Sequence, residues 1–402
     1  MTEATQSDFY LDPANLSLLD DPWPHYARLR EGAPRQVLLN GVLTTLVARY
    51  EDAAAVFRDL QRFSSLPPSI PGTEHLDLFG GAPLMTFTDP PLHDRLRQIV
   101  NRHFLPASIR AYRPQLQSLV DQLLDQVAER PEFDLVEDFA GRFPLMAVIG
   151  FMGAPPEDYP RFKAWNLAQM ELAAIAPGGD LPASVVKARA EQKAYAAALV
   201  DRRRARPLDE DLLSSIIRAS DNGMLSEFEL LPMIFGIVQA GDETTANTLA
   251  NGIHAFLEDP RRLRLLQDNP ALISGAVEEI MRYCSSLQLM PRFAMPGAEV
   301  AGVKLEAGNP ALIMMAAANR DPAWFRDPEL FDITRHPNEH LGFGEGIHFC
   351  VGAHLSRLEM AIALTTLFER FPRLRLANPD ARATYKGSML VRGIAELRVR
   401  ID

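Results

Sequence analysis

The chain has 402 residues, 47% of them hydrophobic, and carries 52 acidic against 41 basic side chains for a net charge of −11. That excess of acid argues against a nucleic-acid partner and leaves room only for local basic patches. Two cysteines, Cys284 and Cys350, exclude a disulfide framework. Residues 1–21 show neither the charged-then-apolar order of a signal peptide nor a run long enough to span a bilayer, so a soluble cytoplasmic protein with no membrane partner is expected.

In chain order, a helix is predicted over residues 24–30. A hairpin follows, with strands over 37–39 and 42–47 flanking Asn40-Gly41, a type I′ turn signal. The Pro- and Gly-rich stretch 64–82 is too long for a plain connector and reads as a substrate-facing wall or lid. From Leu92 to about Asp259 the pattern is mainly helical, as in Leu116, Leu119, Val120, Leu123, Leu124 and Val127. Pro155-Pro156, Pro177-Gly178-Gly179 and residues 204–207 punctuate it without a linker, so one domain over 1–402 is expected. An apolar helix over 234–256 carries a polar interruption, Ala240-Gly241-Asp242-Glu243-Thr244-Thr245, which would be costly to bury without purpose. A helix over 272–283, short strands within 300–315 and a long helix over about 352–371 complete the pattern.

The run Phe343-Gly344-Glu345-Gly346-Ile347-His348-Phe349-Cys350-Val351-Gly352 places a cysteine after a glycine-punctuated loop and directly before a helix. The N–H groups and positive potential of a helix start favour a thiolate, and glycines let the backbone pass close to a flat ligand. Two other readings stay open on these residues: a buried structural thiol, or half of a zinc site in which His348 and Cys350 supply only two ligands.

The same run resembles the haem-binding loop of cytochromes P450 at every motif position. The resemblance reaches from Asp21-Pro22-Trp23 to Arg392-Gly393, with four motifs in the family's order. It implies a mainly α fold, a helical prism with a small β-sheet region and haem between the oxygen-binding helix and the cysteine-loop helix. It makes Cys350 the iron ligand, whose electron donation favours O–O cleavage, with haem b (iron protoporphyrin IX) as cofactor and Phe343 and Gly241 against it. Glu279 and Arg282 stand three apart on one helical face, which alone reads as a surface pair. With the segments Asn319-Arg320-Asp321-Pro322 and Phe331-Asp332-Ile333-Thr334-Arg335, the resemblance makes Glu279, Arg282 and Arg335 a structural network behind the cysteine loop. His93 and Arg97, four apart on a helix that opens with Pro90-Pro91, join Arg292 and His348 as partners of the haem propionates; each alone also reads as a surface charge.

Residues 240–245 resemble the family's oxygen-binding segment, in which the glycine permits a local widening or kink. Activating dioxygen takes two protons, and the Thr244 hydroxyl and Glu243 carboxylate could relay them through ordered water in a dry site; capping or bending of the helix is the alternative. The pair favours monooxygenation, since a peroxide-using relative would not need it. Asp242 stands where the family commonly has an apolar residue or histidine, and Ser286 where it commonly has proline. Cys284 reads as inert filler.

The implied reaction is insertion of one atom of dioxygen into a small hydrophobic substrate, by hydroxylation, epoxidation or oxidative dealkylation. Electrons would come from a separate ferredoxin or flavodoxin with an NAD(P)H-dependent reductase, received at a basic patch including Arg95, Arg102 and Arg357. A monomer is expected. The rivals are a haem-thiolate binding or sensor protein without turnover and a coupling or peroxide-driven relative. Candidate pocket residues are Gln239, Ala240, Leu287, Leu289 and Met389, which suit a terpenoid, an aromatic or a natural-product intermediate.

Overall fold

The computed structural model describes residues 17–39, 41–68, 81–171, 180–205, 210–388 and 390–401. Asn40 of the hairpin turn, residues 69–80 of the expected lid, the Pro177-Gly178-Gly179 break, residues 206 and 207, and Met389 lie outside them. The chain divides into two compact units, one formed by Met1–Pro67, Val120–Gly141 and Thr244–Asp402, the other by Pro68–Leu119 and Arg142–Glu243.

The first unit holds every strand among the described residues. Arg35–Leu39 and Val42–Val47 form the expected hairpin, with Leu39 opposite Val42. Val42–Val47 pairs in parallel with Pro310–Ile313, which pairs antiparallel with Met290–Ala294, and Phe63–Ser64 closes the five-stranded sheet. Alternation sends successive side chains to opposite faces. Leu46 and Met314 pack with Tyr26 and Leu29 of the helix Trp23–Arg30, whereas Val47 and Ile313 pack with Tyr50, Ala53 and Phe57 of the helix Tyr50–Arg58. Both faces of the sheet are therefore committed to core. The unit also carries the helices Ile273–Tyr283 and Ala353–Arg370, close to the bounds read from sequence.

The second unit is helical. In Leu92–Asn101, His93, Leu96, Ile99 and Val100 make up the buried stripe. Phe143–Met152 is apolar on all sides and ends at Gly153, whose φ of 97° suits a left-handed cap. The Asp211 side chain caps Leu212–Asp221 by accepting from the Ser214 N–H at 2.8 Å.

The helix Glu227–Leu257 contributes residues to both units. It begins seven residues before the expected start, because Ser226 and Glu229 form a capping box. The Glu229 carboxylate accepts from the Ser226 N–H at 2.8 Å, and the Glu229 N–H donates back to Ser226 Oγ at 3.3 Å. Pro232 sits inside the second turn, where the loss of one backbone donor is tolerated. No helix among the described residues is long and apolar enough to cross a membrane.

Candidate active site

The cysteine loop is built on backbone geometry. Gly344 and Gly346 have φ of 68° and 73°, and a Cβ on Gly346 would stand 2.8 Å from the Phe57 carbonyl oxygen. Glycine at 346 is thus required twice, by conformation and by approach. Residues 346–348 form a 3₁₀ turn, after which the Cys350 N–H donates to the Phe343 carbonyl at 2.9 Å and the Cys350 carbonyl accepts from Ala353 at 3.3 Å. Those two bonds fix the residue at the entrance to Ala353–Arg370.

Cys350 is exposed, whereas Phe343, Ala353 and Leu355 around it are buried. The other cysteine, Cys284, is buried, and burial pushes its thiol up to about 12, which suits an inert filler. Arg292 is buried in the strand Met290–Ala294 with its guanidinium 5.1 Å from the centre of the Phe57 ring. Phe57 therefore touches both Gly346, through its carbonyl, and Arg292, through its ring. His348 is half-buried in the 3₁₀ turn. His93 is buried with Nδ1 3.0 Å from Asp94 Oδ1, and Arg97 Nε donates to Asn101 Oδ1 at 3.2 Å. These last two belong to the second unit, and Arg292, His348 and Cys350 to the first.

Glu279 is fully buried and collects donors from four residues. Arg282 forms a fork to it at 2.7 and 2.8 Å, Arg335 Nε donates at 3.2 Å, Asn338 at 3.1 Å and the Asp332 N–H at 2.8 Å. The remaining guanidinium donors of Arg282 go to the carbonyls of Asn319, Pro328 and Leu330. Beside it, Glu278 receives Arg357 at 2.7 and 2.8 Å and faces His340 Nε2 at 3.1 Å. His340 Nδ1 accepts from the Gly342 N–H, so Nε2 carries the proton that it offers to Glu278. Burial opposes ionisation of Glu278, but the Arg357 and His340 hydrogen bonds outweigh it and pull the carboxyl down to about 2.

Along Glu227–Leu257, Gln239, Glu243 and Thr244 are half-buried and Ala240 is exposed. The helix is α-helical throughout. No π-type turn interrupts it at Gly241, where an added Cβ would lie 3.1 Å from Val148 Cγ2 on Phe143–Met152. Asp242 is buried and accepts from Asn166 Nδ2 of the helix Tyr159–Met170 at 2.6 Å. That answers where this unusual residue points.

Leu289 packs with Tyr26, Leu29 and Leu46 in the core, and Leu287 is half-buried beside the cluster that contains Phe57. The arginines assigned to a basic patch are each engaged: Arg95 with Glu229, Arg102 with Glu210 at 3.3 Å and Ser215 at 2.7 Å, and Arg357 with Glu278. Arg95 and Arg102 remain part-exposed in these pairs.

Sequence reasoning left Ser286 unexplained and missed Thr248 altogether. Ser286 Oγ donates to the Thr244 carbonyl at 2.8 Å, Thr248 Oγ1 donates to Ser286 Oγ at 3.0 Å, and the Ser286 N–H donates to Thr248 Oγ1 at 3.1 Å. The spacing of Thr244 and Thr248, one helical turn, was the available signal.

The cytochrome P450 family model matches residues 179–396. The mycinamicin IV hydroxylase/epoxidase of Micromonospora griseorubida is 38% identical over 361 residues, 88% of each chain. The nocardicin C N-oxygenase of Nocardia uniformis is 37% identical over 98% of each chain. The chain belongs to the cytochrome P450 family. Among solved structures, the P450 enzyme CxnD for C–S bond formation in chuangxinmycin biosynthesis superposes with a TM-score of 0.88 at 34% identity, over 95% of this chain and 94% of that one. The chain thus has the mainly α P450 fold.

As a P450 the chain takes haem, and the residues present fit it. One soft sulfur donor is exposed with Phe349 beside it, while Phe343, Ala353 and Leu355 are buried. The loop is bare backbone at Gly344, where a Cβ would meet nothing closer than the His348 carbonyl at 3.9 Å. A zinc site lacks ligands: among the described residues no three His, Cys, Asp or Glu cluster to hold a metal ion.

Proposed function

We propose that this chain, a P450 monooxygenase, binds haem b through Cys350 and inserts one atom of dioxygen into a small hydrophobic substrate. The carrying observation is the Cys350 loop, with its exposed thiol, positive-φ glycines and backbone bonds that fix the sulfur. Bound haem supplies dioxygen activation. The chain's own residues do the rest: Cys350 ligates, Arg292 and His348 bind carboxylates, and Glu279 with Arg282 and Arg335 braces the loop from behind. His93 and Arg97 are assigned to the same carboxylates by the resemblance alone. The Glu243 carboxylate and Thr244 hydroxyl hold and pass protons. The 1–402 chain acts as one domain and as a monomer, in the reducing cytoplasm that keeps Cys350 available. It receives electrons from a ferredoxin or flavodoxin with an NAD(P)H-dependent reductase, and takes no nucleic acid.

The test is the absorption spectrum of the dithionite-reduced protein with carbon monoxide, for wild type and Cys350→His. A strongly red-shifted Soret band in the wild type alone supports the reading; wild-type protein that takes up no haem ends it. The alkaline pyridine spectrum identifies the haem as type b.

A second reading, oxidative coupling, is favoured by the similarity to a structure described for C–S bond formation. Product mass separates the two: a gain of one oxygen atom marks insertion, a loss of two hydrogens marks coupling. A non-turnover sensor would shift its spectrum with ligand and consume no reductant.

A further inference from the structure

We infer that Ser286 is a positioning residue for Thr244, and that its hydroxyl sets how much of the reductant ends as product and how much as peroxide. The inference rests on the reading of Thr244 as a proton donor in the reaction.

Ser286 is 1% exposed and Thr248 3%, so the hydrogen bonds between them are not shared with bulk water. The direction of each bond follows from the donors available. The Ser286 N–H can only donate, and it donates to Thr248 Oγ1. The Thr248 hydroxyl then spends its proton on Ser286 Oγ. The Ser286 hydroxyl has one proton left to give, and the Thr244 carbonyl oxygen lies 2.8 Å away. Ser286 is itself held from the other side, because its carbonyl accepts the Arg392 N–H at 2.8 Å and Gln288 Nε2 at 3.3 Å.

A carbonyl inside a helix ordinarily serves the N–H four residues on, here that of Thr248. A second donor from outside the helix draws the carbonyl outward and stiffens the backbone at that residue. The position of the Thr244 side chain is thereby tied to the segment after Arg282, and not to its own helix alone. Alanine at 286 would keep the backbone bond to Thr248 Oγ1 but leave the Thr248 hydroxyl proton without its Ser286 acceptor and the Thr244 carbonyl without its outside donor.

The chemical consequence concerns protons. Two electrons and two protons convert dioxygen either to hydrogen peroxide, or to one water plus the oxygen atom placed in the substrate. A Thr244 hydroxyl that wanders from its position shifts the balance toward peroxide while leaving haem binding alone.

The test uses the holoenzyme with a ferredoxin, its NADPH-dependent reductase and 7-ethoxycoumarin as the probe substrate. It compares Ser286→Ala, Ser286→Thr, Thr244→Ala and the neighbouring Ser285→Ala. Ser285 loses the same hydroxyl, but that hydroxyl faces the Leu287 carbonyl at 3.4 Å and no part of Thr244. Two quantities are read: the fraction of NADPH recovered as hydrogen peroxide, and hydrogen–deuterium exchange in peptides covering residues 244–252. Ser286→Ala is expected to raise the ratio of peroxide to product roughly five-fold, the factor one lost hydrogen bond corresponds to, and to speed exchange at those amides. Ser285→Ala should leave both at wild-type values, and Ser286→Thr should restore them. If Thr244→Ala uncouples the enzyme while Ser286→Ala behaves as wild type in both readouts, the inference is overturned. If Thr244→Ala does not uncouple it, the proton-donor reading fails and takes the effect on peroxide with it. The exchange rates then decide alone whether Ser286 holds that backbone, and unchanged rates overturn it.

Discussion

Glu279 and Asp242 are both buried carboxylates, 0% and 1% exposed, in very different surroundings. Glu279 is answered by two arginines, an asparagine and a backbone N–H, spread over residues 282–338. Asp242 takes a hydrogen bond from the neutral amide of Asn166 on a neighbouring helix. The first arrangement ties distant loops to one point and tolerates no change. The second joins two helices of one unit next to the residues assigned to proton transfer. Bracing draws charged donors from distant loops, whereas Asn166 gives Asp242 a neutral donor from a neighbouring helix.

The largest expected effect is at Glu279. Glu279→Ala leaves the Arg282 and Arg335 charges buried without their partner and should cost about 3–5 kcal/mol of stability by urea titration. A loss no greater than that of an Asp242 variant would break the comparison.

Glu278 extends the braced region to its part-exposed flank. Its carboxyl is lowered from 4.5 to about 2 in the fold, so the unfolded chain binds the extra proton between those values. The stabilisation is complete above about pH 4.5 and is lost as pH falls toward 2. It amounts to about 3 kcal/mol at most. Melting curves across that window should be flatter for Glu278→Gln, and an unaltered slope would remove Arg357 and His340 as its cause.

Asn166→Ala strips the amide from Asp242 and should cost about 1.5–3 kcal/mol, the range for a hydrogen bond to a charged group. Asp242→Asn, which keeps an acceptor oxygen, should cost less. Equal losses would mean that charge matters at Asp242 as it does at Glu279.

The smallest effect is expected at Glu359, buried in Ala353–Arg370, where burial alone raises the carboxyl well above its ordinary 4.5. Here the folded state holds the proton more tightly, so stability falls as pH rises from about 4.5 toward the raised value. Glu359→Gln should therefore be within about 1 kcal/mol of wild type at pH 5 and more stable at pH 8. A destabilised variant at pH 8 would show the carboxylate to be charged and partnered after all.

The cysteine loop was legible because its chemistry is local: ten consecutive residues specify the glycine turns, the sulfur and the helix that follows. The hairpin, the short strands within 300–315 and the helix ends near 283 and 353 were legible from periodicity for the same reason, whereas Met290–Ala294 and the short strands beyond residue 374 were not. The start of the long helix was written as Ser226-x-x-Glu229 but was masked by Pro232, which reads as a stop until the cap is recognised. The bonds from Ser286 to Thr244 and from Asn166 to Asp242 were not legible, because hydrogen bonds between residues 42 and 76 positions apart leave no spacing signature. The ion pairs of Arg95 and Arg102, which join residues more than a hundred positions apart, were hidden in the same way.

The five-stranded sheet has a consequence for synthesis. Val47 lies opposite Ile313, so the hairpin made early in translation waits for a strand that emerges some 266 residues later. At ribosomal speed that interval lasts on the order of tens of seconds. Through it, one edge of Val42–Val47 has no native partner, although the helices Trp23–Arg30 and Tyr50–Arg58 that cover its two faces are already made. Yield on expression should therefore respond to the rate of elongation as well as to the stability of the finished fold.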